Sequence, residues 1–186
     1  MRARAVGGVL AALAPGGCDY APPAAVGSSP SASASADPAA ALPDGWTRLE
    51  AEQGWSIGVP PGFVRSTYRG SQVQLRDPEA RRTLRVDVQT TADGGAEQAL
   101  SRLSPQLGSQ LADYEELRLE AVDYRGLDAA DLEFTYVDQT ELRVLDRAVV
   151  AEDGRTYYLY WQVNASDWQD ALPVFEQMLE TFVPAG

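Results

Sequence analysis

The sequence predicts an α+β fold, and three observations predict it. Residues 46–90 and 114–163 carry apolar side chains at alternate positions, in runs separated by Gly, Pro and Asp turn signals, which is the period of half-buried strands. Residues 95–112 and 166–182 switch to spacings of three and four, the period of a helix with one buried face. The stretch 126–182 joins both patterns, reading as three strands linked by short turns and closed by an amphipathic helix.

The chain has 186 residues. In chain order, residues 1–18 read as a signal peptide. Arg2 and Arg4 form a positive start, and Ala5 to Ala14 form an apolar run about half as long as a spanning helix needs. Cleavage after Ala14 would place Pro15 at the scissile bond. Gly16-Gly17-Cys18 instead resembles a bacterial lipobox, degenerate at Pro15, and marks Cys18 as the expected lipidation site. Simple secretion is the alternative. Residues 19–43 contain Ala, Ser, Pro and Gly with almost no large apolar side chain. Such a segment buries too little surface to offset its ordering entropy, so a disordered linker is expected.

Residues 44–186 are expected to form one α+β domain. Residues 46–52 and 55–59 read as a hairpin about Gln53-Gly54, and Pro60-Pro61 ends strand character because proline cannot donate to a ladder. Residues 71–76 and 82–90 alternate through Val73, Leu75, Leu84, Val86 and Val88. The helix at 95–112 carries Ala99, Leu100, Leu103, Leu107 and Leu111 on one face. Pro105 and Gly108 predict a kink or break within it. In the strand at 114–124, Leu117, Leu119 and Ala121 are expected to face inward.

Leu132, Phe134 and Tyr136 then share one strand face, opposite Asp131, Glu133 and Thr135. Arg125-Gly126 reads as the turn before that strand. Leu142, Val144, Ala148 and Val150 line the next strand, with Asp146 an oddity on an apolar face. After the Asp153-Gly154 turn, Tyr157, Leu159, Trp161 and Val163 point one way and Tyr158 and Tyr160 the other. A strand apolar on both faces is expected at the centre of its sheet. Ser166 and Gln169 spell a capping box for the last helix. Pro173 lies too deep for that start, so a separate first turn and a second helix capped by Asp170 are also open.

Composition excludes several chemistries. The formal net charge of −12 argues against nucleic acid and against binding anionic lipid headgroups through charge. The chain has no His, which removes Ser-His and Cys-His catalysis and His metal ligation. One Cys cannot form an intrachain disulfide or a cysteine metal cage. No cofactor and no metal are expected, and no GxSxG, P-loop, GxGxxG or HExxH pattern occurs.

Three phrases carry a family resemblance: Gly54-Trp-Ser-Ile-Gly-Val-Pro60, the run from Val122 to Tyr136, and Tyr158 to Trp168 leading into Phe182. They resemble the extracytoplasmic domains of actinobacterial lipoproteins and of the C-terminal region of actinobacterial serine/threonine kinases. The resemblance implies the Mog1/PsbP-like class, an antiparallel sheet sandwiched by helices. It carries over no catalytic motif, and fold alone does not imply activity.

Two groups of side chains could carry function. Asp123, Asp128, Asp131 and Glu133 could serve a carboxylate-based hydrolase or a Ca²⁺ site. Strand alternation sends Asp128 and Asp131 to opposite faces, and a structural or solvated role is the stronger reading. Tyr158 and Tyr160, with Trp46, Trp55 and Trp168, could line a groove for ligand or peptide, against the alternative of ordinary packing. The sequence thus points to an exported, lipid-anchored, non-catalytic envelope module. It would be held at the outer face of the cytoplasmic membrane and would bind a ligand or an envelope protein through Tyr158 and Tyr160. The alternatives are a sensor or accessory component of envelope signalling, and a carboxylate hydrolase.

Overall fold

Long alternating strands joined by tight turns pair with their sequence neighbours. A computed structural model describes residues 41–70, 72–90 and 94–185. The expected leader, Cys18 and the linker up to residue 40 lie outside them. The strands are β1 (Thr47–Glu50), β2 (Ser56–Val59), β3 (Val64–Tyr68), β4 (Gln72–Asp77) and β5 (Arg82–Thr90). Helix α1 (Gly95–Gln110) follows. The chain continues through β6 (Glu115–Tyr124), β7 (Leu127–Asp138), β8 (Thr140–Val150) and β9 (Arg155–Asn164), and ends in α2 (Trp168–Thr181). Seven strands form one antiparallel sheet in the order β3-β4-β5-β9-β8-β7-β6, while β1 and β2 form a separate hairpin. The fold is α+β, with a helix on each face of the sheet. Strand β9, apolar on both faces, is central as expected.

Each face buries its own core. On one side Trp55, Ile57, Leu75, Leu84, Leu159, Trp161, Phe175, Met178 and Phe182 pack between the sheet, α2 and the β1–β2 hairpin. Trp161 stacks on Phe175 with ring centroids 5.4 Å apart and planes within 8°. On the other side Ala96 and Leu100 of α1 meet Ala130, Leu132, Phe134, Val144 and Ala148.

The hairpin is fastened to the end of α2. Ser56 and Val183 exchange backbone hydrogen bonds of 2.9 and 2.8 Å. Gly58 N–H donates to Thr181 Oγ1 at 2.7 Å, and that hydroxyl donates to Met178 O at 2.7 Å. A Cβ on Gly58 would lie 2.7 Å from both Thr181 Oγ1 and Leu42 Cδ2. Gly58→Ala is therefore expected to cost about 1–3 kcal/mol through overpacking of a buried contact, read as a lower urea midpoint at unchanged slope.

Five local expectations differ from the structure. Strand β3 lies outside the expected strands, because an edge strand with four of its five residues exposed shows no apolar alternation. Helix α1 runs unbroken through Pro105, which faces solvent, and Gly108 makes room for Tyr114, whose ring a Cβ would meet at 3.3 Å. In β6 a bulge between Glu116 and Arg118 leaves Leu117 unpaired and 43% exposed, and Ala121 on this edge strand is also exposed. Ser166 does not cap: its hydroxyl contacts Asp167 Oδ1 within the 3₁₀ turn Ala165–Asp167. Helix α2 starts at Trp168 and contains Pro173 on its exposed side, so Asp170 starts no second helix.

The β6–β7 turn is the expected Arg125-Gly126, both at positive φ (56° and 74°), the geometry of a primed hairpin turn. Its side chains serve the end of α2, whose last turn has no basic residue. Tyr124 Oη donates to Leu179 O at 2.6 Å, and the Arg125 guanidinium donates to Phe182 O at 3.1 Å and to Glu180 O. These donors satisfy carbonyls that a helix end leaves open. Burial pushes the Tyr124 phenol up to about 12. Among the described residues no helix is long and apolar enough to cross a membrane.

Candidate functional site

The two helices do not cover equal shares of the sheet. Helix α1 packs over β6, β7 and β8, leaving the same face of β9, β5 and β4 without a helical lid. A cleft of about 860 Å³ opens there, with Arg102 and Gln106 of α1 on one wall and Tyr68 and Arg69 at the end of β3 on the other. Tyr158 and Tyr160 form part of its floor. Both point away from the Trp161 core, and both are half-buried.

Strand register decides what surrounds them. Arg85 of β5 lies opposite Tyr160 of β9, which lies opposite Asp146 of β8, so cation, ring and carboxylate form one row across three strands. In the next row Asp87 lies opposite Tyr158, which lies opposite Ala148. The Arg85 guanidinium sits between two rings, 4.5 Å from the Tyr68 centroid and 4.8 Å from that of Tyr160, a cation–π arrangement on both faces. Gln162 Oε1 gathers three donors: Tyr136 Oη at 3.0 Å, Tyr160 Oη at 3.2 Å and Arg85 Nη2 at 3.4 Å. The tyrosines at this end of the cleft are thus held in place before any ligand arrives.

Burial raises the phenols of Tyr136 and Tyr158, and raises Tyr160 most strongly, so all three remain protonated donors at neutral pH. Asp146 is the outlier. Only 3% exposed, it lines the cleft while its Oδ1 has no hydrogen-bond partner among the described residues. Burial pushes its carboxyl up to about 7, with Asp87 and Asp131 adding to the rise and Arg85 offsetting it.

Of the carboxylates singled out by the sequence, Asp131 and Glu133 share one face and meet at Arg118, while Asp123 and Asp128 lie apart from them. Asp128 and Asp131 do face opposite ways. Asp128 Oδ2 accepts the Ala96 N–H at the start of α1, at 3.2 Å. Asp131, 2% exposed, is held by Arg147 through bonds of 2.6 and 2.7 Å. Glu133 pairs with Arg143 and, at 3.2 Å, with Arg118. Asp123 Oδ1 accepts the Gly126 N–H of its own turn at 3.4 Å. Among the described residues no group of three or more His, Cys, Asp or Glu is placed to hold a metal ion. Trp46, Trp55 and Trp168 belong to the α2-side core, remote from Tyr158 and Tyr160, so the five aromatics do not form one groove.

Residues 47–184 match the model of the serine/threonine kinase C-terminal domain. The chain belongs to this family. No curated protein compared with the chain matches it by sequence. Among solved structures, this chain is similar to the cyanobacterial PsbP of Synechocystis sp. PCC 6803, at 17% identity and a TM-score of 0.62 over 75% of this chain and 92% of that one. It is also similar to the Saccharomyces cerevisiae Ran-binding protein Mog1p, at 12% identity and a TM-score of 0.56 over 75% and 95%. A third neighbour is LpqN of Mycobacterium tuberculosis, described as involved in cell envelope biogenesis, at 15% identity and a TM-score of 0.54 over 75% and 91%. The domain is Mog1/PsbP-like, as the sequence resemblance implied.

Apart from Asp146, the partners of Tyr158 and Tyr160 carry no signal in the sequence pattern. Arg85, Asp87 and Gln162 occupy the polar positions of alternating strands, which read as solvent-facing. Asp146 was the one visible signal, a carboxylate at a position the alternation reserves for apolar side chains.

Proposed function

We propose that this protein is an exported, lipid-anchored, non-catalytic module that binds a ligand or an envelope protein in the cleft over Tyr158 and Tyr160. The supporting observation is the preorganised aromatic floor, with Arg85 clamped between Tyr68 and Tyr160 and three donors fixed on Gln162. Ligand sites are built this way, from a concave surface with a few oriented polar groups. An envelope location is supported by the leader expected to end at Cys18 and by the similarity to LpqN. A role as sensor in envelope signalling is the second reading, favoured by membership of a family named for kinase C-terminal domains.

The anchor is tested by fractionation of cells expressing the full chain. Cys18→Ala is expected to move the protein from the membrane to the soluble fraction, and retention in the membrane would exclude lipidation at Cys18. The cleft is tested by crosslinked capture from the native envelope. Gln106 is exposed at the cleft wall, so Gln106→Trp should obstruct the opening without disturbing the core. Capture is expected to fall at least fivefold, and unchanged capture would remove the cleft from the binding surface.

A further inference from the structure

The Tyr158 end of the cleft differs in charge from the Tyr160 end. Tyr160 faces Arg85, whose guanidinium lies between two rings and donates through Nη2 to Gln162, while its Nε has no hydrogen-bond partner among the described residues. Tyr158 lies opposite Asp87 and diagonal to Asp146, and after burial these two carboxylates are what raise its phenol, Asp146 the more. Asp87 keeps accepting capacity beyond its bonds from Val88 N–H at 3.0 Å and Gln89 Nε2 at 2.8 Å. Asp146 Oδ1 has no partner among the described residues, although Asp146 is 3% exposed. A buried acceptor left unmet costs free energy that a donor from outside would recover.

We propose that this end of the cleft recognises an alkylammonium cation, held beside the Tyr158 ring between the carboxylates of Asp146 and Asp87. The assignment rests on the cleft being the binding surface and names the ligand chemistry it takes. An ammonium group supplies three N–H donors, enough for Asp146 Oδ1 and Asp87 together, and its charge is attracted to the tyrosine π-face. The chain's net charge of −12 adds a long-range field of the right sign. The cations that face this end are Arg85 on β5 and Arg102 on α1. Arg85 is fixed at the Tyr160 end, and Arg102 donates to Gln98 Oε1 at 3.2 Å on its own helix. Asp131 adds negative charge from the far face of the sheet.

Binding is coupled to protons. Asp146 is protonated in the free protein below about pH 7, and a bound ammonium favours its ionised form, so binding releases a proton in that range. Affinity is expected to rise about tenfold per pH unit up to about 7 and to level off above it.

The test is an amide NMR titration of the full chain with 1,5-diaminopentane, run beside N-acetyl-lysine methylamide and butyrate. Saturable shifts are expected at Asp87, Asp146 and Tyr158 with the two amines. Tighter binding of the diamine marks a free amine as the ligand source, and tighter binding of the lysine amide marks a protein side chain. Asp146→Asn is expected to weaken binding at pH 8 at least tenfold. Shifts from butyrate alone, or amine binding undiminished in Asp146→Asn, overturn the cation assignment and leave the cleft as the binding surface. Absence of any cleft shift, together with envelope capture unchanged by Gln106→Trp, overturns both.

Discussion

Asp146→Asn is expected to stabilise the protein at pH 8 and to leave it nearly unchanged at pH 4. The native carboxyl titrates at about 7, above the usual 3.8, because burial disfavours its charge and Asp87 and Asp131 add to the effect. The sign follows from proton counting. Between pH 4 and 7 the native state holds a proton that the unfolded chain has released, so stability declines as pH rises through that window. Below it both states are protonated and no penalty exists. Above pH 7 the native state carries a buried charge that Arg85 offsets only in part. Asparagine is uncharged at every pH and escapes that cost, a gain of roughly 2–4 kcal/mol at pH 8. Arg85 lies in the same row, and its attraction is already part of that titration point. Urea unfolding at both pH values measures the gain directly. An equal effect at pH 4 and 8 would mean that Asp146 does not titrate near neutrality.

Arg147→Ala is expected to have the opposite effect on the other face of the sheet. Asp131 is 2% exposed and its two oxygens are bound by Arg147 at 2.6 and 2.7 Å, so truncating the arginine leaves a buried carboxylate without its main partner. Arg118 is 3.7 Å from the same carboxylate and 40% exposed, too far and too solvated to replace it. Removing one side of such a pair costs about 3–5 kcal/mol, whereas replacing both sides with apolar groups costs much less. The double variant Asp131→Leu with Arg147→Met is therefore expected to be more stable than Arg147→Ala alone. Thermal and urea unfolding of the pair decide the point. A loss below about 1 kcal/mol in Arg147→Ala would show that Asp131 is hydrated or neutral.

How far the fold could be read follows from what each segment buries. Strand β9 carries Tyr157, Leu159 and Trp161 against α2 and Tyr158 and Tyr160 against the opposite side, so its central place was visible in its own residues. Strand β3 buries almost nothing, and hydrophobic periodicity cannot report a strand held by edge hydrogen bonds alone. The bulge at Leu117 shifts the face of the residues around it, a change that depends on pairing with β7 and not on local composition. Ser166 matched a capping pattern, yet Asn164 Nδ2 and Ser166 Oγ both bind the Asp167 carboxylate, drawing the segment into a 3₁₀ turn.

The candidate site was half visible for the same reason. Alternation places Tyr158 and Tyr160 on the face away from Trp161, but their partners come from β3, β5, β7 and β8. Only the register brings Arg85, Asp87 and Asp146 alongside them. The four carboxylates dense in the sequence are divided by the same register among a helix start, a turn and one ion-pair network in which Arg118 joins Asp131 and Glu133. Proximity in sequence counts for little on a strand, where neighbouring side chains face opposite sides of the sheet.

The binding role of the cleft is tested most directly by site-specific photocrosslinking in the native envelope. A photoreactive residue at Gln110, at the cleft wall, is compared with one at Glu176, exposed on α2 across the sheet. The cleft reading predicts a discrete crosslinked product from Gln110 that is absent from Glu176 and lost on combination with Gln106→Trp. A product formed from Glu176 and not from Gln110 would contradict it.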